Sequence, residues 1–293
     1  MKIKYSYLIF LVFNLTNIFA QQQKLLFFIQ NGKFGYADTT GKTIIPPSFL
    51  SANDFFEGLA VASNVETTKT GFINSKGQWV IPATYFAAGE FSEGLARVQV
   101  NGKWGYIDTK GKTIIVPQFQ LCYEFKNGFA KAQLKNQFGL IDKTGKFIVQ
   151  AQYYSISDYS GKVIATQKTM YDPWIITDLA GNKITEQTFS KIGNFSNGLA
   201  PARNKEDKWG FINESGEWMI QPTFTNAHIF NEGYAFVEIN FAKWTYINTK
   251  GEQIVTPQYD RQAIFRNGYA RVEKGQEIQY INTKGKAVFS FNR

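Results

Sequence analysis

Two residues bound the acid–base and nucleophilic chemistry open to this chain: His228 is its one histidine and Cys122 its one cysteine in 293 residues. A Ser-His-Asp relay needs an imidazole beside a nucleophile. His228 instead sits in the connector Asn226-Ala227-His228-Ile229, with no nucleophile-elbow sequence around it. Cys122 as a thiolate nucleophile would call on that same histidine, more than a hundred positions away. One cysteine closes no intramolecular disulfide, and one cysteine with one histidine makes no zinc ligand set. Gly-Lys-Thr at 41–43 and 111–113 falls in hairpin-turn sequence, not in the strand–loop–helix context of a phosphate cradle. The sequence therefore predicts no catalytic residue, no metal site and no cofactor, and the expectation is a protein that is not an enzyme.

Aromatic surface is the chemistry that remains. The chain has 27 Phe, 15 Tyr and 6 Trp, enough to line both a core and a binding face. Phe34, Trp104, Phe138, Trp174, Trp209 and Trp244 form one repeated column, and the small residue after most of them predicts packing against a neighbour. Trp79 and Trp218 differ, because their equivalents are the mixed set Thr43, Thr113, Phe147, Lys183, Gln253 and Ala287. A mixed set predicts a solvent face, so Trp79 and Trp218 are the expected ligand-binding residues. Formal charge is +9, of which Lys2 and Lys4 supply two. Such a field suits anionic polymers or a membrane surface, but no continuous basic stripe emerges, and nucleic acid is not an expected partner.

The elements that position these rings repeat. Turn glycines recur at 41, 77, 111, 145, 181, 216, 251 and 285, and a second glycine series follows at 58, 94, 128, 198, 233 and 268. The period is about 35 residues, which marks a tandem array. Each copy reads as three strands. The first alternates, as in Ala96, Val98 and Val100 against Arg97 and Gln99, the mark of a half-buried strand. The second ends in Asp or Asn, which opens a hairpin turn with glycine three residues later in the positive-φ position. The third carries an aliphatic at glycine+3 (Ile44, Val80, Ile114, Ile148, Ile184, Met219, Ile254, Val288), expected to face the core. It is expected to close at proline (Pro47, Pro82, Pro117, Pro222, Pro257). Asp38, Asp108, Asp142 and Asp178 are read as turn residues, since Asn replaces them in the other copies.

The runs Lys103-Trp104-Gly105-Tyr106-Ile107-Asp108, Lys208-Trp209-Gly210-Phe211-Ile212-Asn213 and Phe91-Ser92-Glu93-Gly94-Leu95-Ala96 resemble the WG-repeat (KWG-repeat) family over residues 25–293. The resemblance implies a bacterial β-repeat protein that is exported or surface-associated. A looser similarity exists to the aromatic hairpins of choline- or glucan-binding cell-wall repeats.

The fold expectation is all-β: an open, β-solenoid-like array of three-stranded units at about 24–60, 61–96, 97–130, 131–165, 166–200, 201–235, 236–270 and 271–293. The alternative is a closed seven- or eight-bladed propeller-like ring. Residues 1–20 read as a signal peptide, with Lys2 and Lys4, the apolar run 5–13 and Ala20 before Gln21-Gln22-Gln23; residues 21–293 form the single array. No later stretch is apolar enough to span a membrane. The expected function is a non-enzymatic exported binding or scaffold module at the cell envelope, contacting protein or glycan. The alternatives are a purely structural envelope protein or, less favoured, an enzyme of polysaccharide metabolism, which would need paired carboxylates in a cleft.

Overall fold

The computed structural model describes residues 24–240, 243–254, 259–262 and 264–292. Residues 1–20, read from sequence as a signal peptide, and Pro257 lie outside them. The described residues are strand and turn throughout, in seven antiparallel sheets. The sheets begin each unit earlier than the sequence boundaries, at the connector: in the third unit the strands Ala87–Ala88, Leu95–Val100, Lys103–Asp108 and Thr113–Phe119 lie side by side in chain order. The repeat therefore holds four strands rather than the expected three. Its extra strand is two residues long and lies in the connector. The first sheet has six strands because one long strand, Thr43–Phe56, passes from the first unit into the second.

The hairpin turns form as the sequence predicts. Asp108 Oδ1 accepts from the backbone N–H groups of Lys110 and Lys112, each at 2.9 Å, and Gly111 has φ +83°. The alanine-rich strands face inward: Ala96, Ala130, Ala132, Ala200 and Ala202 are buried. The third strand corrects two expectations. Its buried position is glycine+4 (Ile45, Ile81, Ile115, Val149), while the glycine+3 residues Val80, Ile114, Ile148, Ile184 and Met219 are exposed. Proline does not end the strand either. Pro82 and Pro117 lie inside Trp79–Tyr85 and Thr113–Phe119, where the register slips by a bulge. That bulge carries the strand over the glycine of Trp-Gly. A Cβ on Gly105 would sit 2.4 Å from Ile115 O and 2.6 Å from Pro117 N. The small residue thus makes room for its own unit's third strand.

The core lies between units. The ring of the residue after the glycine, or after Thr245 in the seventh unit, meets the Phe of the next unit's Phe-x-x-Gly: Tyr36–Phe55, Phe72–Phe91, Tyr106–Phe125, Phe211–Phe230 and Tyr246–Phe265 have centroids 4.7–4.9 Å apart. Burying each such ring is worth roughly 2–3 kcal/mol, so no unit holds itself together without its neighbour.

The open array is overturned, because the last unit meets the first through the same contact that joins neighbouring units along the chain. Most turn glycines rest on the glycine+4 side chain of the preceding unit. A Cβ on Gly77 would meet Ile45, one on Gly111 would meet Ile81, and one on Gly145 would meet Ile115. Gly41, in the first unit, rests in the same way on Phe289 of the last, 3.6 Å away. Tyr280 Oη donates to Phe27 O at 3.2 Å, and the two rings meet edge to face. The chain is a closed β-propeller ring of seven sheets, which removes the exposed ends that a solenoid would have to cap.

Candidate ligand-binding site

Where first and last units meet, a cavity of about 640 Å³ opens. Its chemistry comes from the connectors that precede Phe-x-x-Gly. The residue just before that Phe, or before Tyr159 in the fifth unit, is Asp54, Glu90, Glu124, Asp158, Asn194, Ile229 and Ile264 in successive units. In the middle units each acid has a nearby cation: Glu124 Oε1 lies 2.9 Å from Arg97 Nε, and Asp158 Oδ1 3.2 Å from Lys131 Nζ. Asn194 Nδ2 donates to Asp158 Oδ2 at 2.7 Å.

At the closure the pairing reaches across units. Arg266 Nη1, from the last unit, donates to both oxygens of Glu90 in the third, at 2.8 and 2.7 Å. The same guanidinium lies 4.9 Å over the Phe56 ring of the second unit, a cation–π contact. Asp54 lines this cavity. Burial raises its carboxyl above the ordinary range, against the Arg266 charge that lowers it, while Glu90 raises it further. Tyr36 and Tyr280 are raised by burial first and then by the Asp54 charge. Arg271 also lines the cavity; it pairs with Glu273 at 2.8 Å, yet its Nε is buried without a hydrogen-bond partner. Lys24 Nζ, 5.1 Å over the Tyr269 ring, donates to Asn267 O. The site thus offers cations, carboxylates and aromatic rings together.

Sequence reasoning missed Asp54, Glu90 and Arg266. The acid column before Phe-x-x-Gly was readable in four consecutive copies, whereas the arginine that answers it comes from the far end of the chain.

The residues singled out from sequence lie elsewhere. Trp79 and Trp218 are half-buried rather than on an open solvent face. Trp79 packs edge to face on Phe49 and Trp218 on Phe189, with centroids 5.7 Å apart in both pairs. Trp218 also borders a smaller cavity of about 390 Å³ with Phe189 and Lys205. The Trp column packs: Phe34, Trp104, Phe138, Trp174 and Trp209 each pair in register with the residue fifteen further on, Phe49, Phe119, Tyr153, Phe189 and Phe224. His228 stacks on Phe236 at 3.9 Å, and burial lowers its pKa. Cys122 is buried, and that burial pushes its thiol up to about 12. Among the described residues no group of three or more His, Cys, Asp and Glu could hold a metal ion, and no helix is long and apolar enough to cross a membrane.

Several solved structures share the architecture. Over 92% of this chain and 73% of the other, the dihydro-heme d1 dehydrogenase NirN in complex with DHE superposes with a TM-score of 0.59 at 10% identity. A eukaryotic initiation factor superposes over 93% and 85% with a TM-score of 0.58 at 9% identity. KlHsv2 with loop 6CD replaced by a Gly-Ser linker does so over 70% and 80% with a TM-score of 0.50 at 14% identity. At such identities the likeness shows the propeller fold alone. Comparison with curated proteins gives no match. The WG containing repeat matches seven stretches, 34–64, 71–104, 104–137, 138–169, 178–209, 209–240 and 244–277, most of them opening at the aromatic–glycine step that the bulged third strand requires. The chain belongs to the WG-repeat family.

Proposed function

We propose that this propeller is a non-enzymatic binding module, exported to the cell envelope, that holds a glycan segment in the ring-closure cavity. The observation that carries the reading is the convergence of Arg266, Glu90 and Asp54 with the Phe56 and Tyr269 rings on one cavity. Sugars present hydroxyls in fixed directions and apolar C–H faces between them. Bidentate charged side chains answer the first and aromatic rings the second, in a concave site with a few placed polar groups. The signal peptide expected from residues 1–20 is what supports an envelope location. The test is a glycan array and peptidoglycan pull-down with the chain from residue 21, alongside Arg266→Ala and Asp54→Asn. Saturable binding weakened at least about tenfold by either substitution supports the reading. Retention on no polymer sinks it and leaves a structural role or a protein partner.

One observation favours a second reading. Asp54 and Glu90 line the same cavity; burial raises the Asp54 carboxyl, and Glu90 is ion-paired with Arg266. Glycoside hydrolysis uses two carboxyls facing one cleft, one of them kept protonated by its surroundings. Release of reducing ends from a polymer, abolished by Glu90→Gln, would establish it.

A further inference from the structure

The two rims of the ring differ. One carries the Asp/Asn-to-Gly turns. The other carries the hairpins between first and second strands, such as Asn101-Gly102, and there the residue nine past each turn glycine bonds into the next unit. Phe86 N donates to Gln99 O at 3.2 Å, Gln120 N to Gln133 O at 3.0 Å, Tyr154 N to Lys168 O at 3.2 Å, and Thr225 N to Glu238 O at 2.8 Å. These residues mark successive junctions around the hairpin rim.

Their chemistry splits the rim in two. The first four are Leu50, Phe86, Gln120 and Tyr154; the next three are Ser190, Thr225 and Asp260. Phe86 is 71% exposed, Tyr154 50% and Tyr171, in the fifth unit's rim loop, 88%. Val65, Val100 and Leu134, at the strand ends beside them, are exposed as well. Large rings that open to water answer no packing demand of the fold, and contiguous ones mark an interaction surface. Lys69, Lys103, Lys135 and Lys168 stand between them, exposed and in no ion pair with a described residue. Lys69 Nζ lies 5.4 Å over the Phe86 ring. Two acids share this half, Glu66 and Asp172, and Asp172 Oδ2 is taken by Thr169 N. In the other half the sixth unit's hairpin reads Lys205-Glu206-Asp207-Lys208, with Asp207 Oδ1 3.3 Å from Arg203.

We infer that the half-rim carrying Phe86, Tyr154 and Tyr171 between Lys69, Lys103, Lys135 and Lys168 seats the propeller on an anionic lipid bilayer. The charge sets the occupant: apolar tips separated by lysines at successive junctions match a fluid surface with anionic headgroups over hydrocarbon. Aromatic rings settle at the headgroup level of such an interface. This inference does not rest on the glycan reading, which concerns the ring-closure cavity.

The experiment is sedimentation with vesicles of phosphatidylcholine alone or with about 30% phosphatidylglycerol, at low and high salt. It uses the chain from residue 21, because the apolar run at 5–13 would bind lipid by itself; the ring of residues 24–292 closes on itself and holds all seven core clusters. Binding to the anionic vesicles is expected to exceed that to neutral ones by about tenfold or more, and to weaken with salt. The set Lys69→Glu, Lys103→Glu, Lys135→Glu and Lys168→Glu is expected to abolish it, as is the uncharged set Phe86→Ser, Tyr154→Ser and Tyr171→Ser. Lys110→Glu, Lys112→Glu, Lys284→Glu and Lys286→Glu, on the turn rim, are expected to leave it. Absence of vesicle binding overturns the inference, as does equal loss from the turn-rim set. Concentration-dependent dimers that disappear in the Phe86 set, without lipid binding, would also overturn it and assign the half-rim to a second copy.

Discussion

Arg266 Nη1 lies 2.7 Å from Glu90 Oε2, although 176 positions separate the two residues in the chain. One belongs to the last unit and the other to the third, so the pair exists only because the ring is shut. Both side chains keep some solvent access, 31% and 22%, which places the contact between a surface pair and a buried one. Arg266→Ala is expected to cost about 1–2 kcal/mol, since it also removes the guanidinium from over Phe56. A double-mutant cycle with Glu90→Gln in urea denaturation should give a coupling below about 1.5 kcal/mol.

Asp54 gives the stability curve a particular sign. Its folded pKa lies above the unfolded one because burial favours the neutral acid. The folded state therefore holds its proton more tightly, and the Asp54 contribution falls as pH rises through and above about 4. Asp54→Asn is expected to raise the melting temperature at pH 7 and to leave it unchanged near pH 3. A loss of stability at pH 7 that shrinks towards pH 3 would show instead that the folded state favours the carboxylate.

Glycines in the repeat divide into two classes with different costs. Gly105→Ala drives a Cβ to 2.4 Å from Ile115 O, against backbone that has nowhere to go, and is expected to cost about 2–3 kcal/mol. Gly94 has open space around it and φ +85°, so Gly94→Ala should cost about 1–2 kcal/mol from backbone strain alone. Thermal melts of the two variants should rank in that order.

Trp79 and Trp218 are expected to report on packing first. Each loses an edge-to-face partner on truncation, and Trp79→Ala or Trp218→Ala should destabilise by about 2–4 kcal/mol. If either changed glycan retention while leaving the melt untouched, its role would lie in ligand contact.

Local features were legible in the sequence because local chemistry makes them. The Asp108-to-Gly111 turn and the Ala96/Val98 strand follow from residues a few positions apart. The phase of the third strand was not legible, because Ile44-Ile45, Val80-Ile81 and Ile114-Ile115 are aliphatic doublets in which either member could be buried. The bulge near Pro47 and Pro117 decides which. The two-residue strand Ala87–Ala88 carries no periodic signal. Ring closure depends on Gly41 meeting Phe289 and Lys24 meeting Asn267, and no window of sequence holds both partners. The Asp54–Glu90–Arg266 site inherits that difficulty.

The turn glycine resting on its predecessor's side chain, repeated until Gly41 finds Phe289, also fixes how this protein can change over generations. Tandem copies invite unequal recombination, and an open filament would tolerate gaining or shedding one. Here the circumference is set: losing a copy would leave the two extremities facing across a gap, and adding one would force them out of line. The number of copies is held by geometry, while the tips that face outward stay free to diversify.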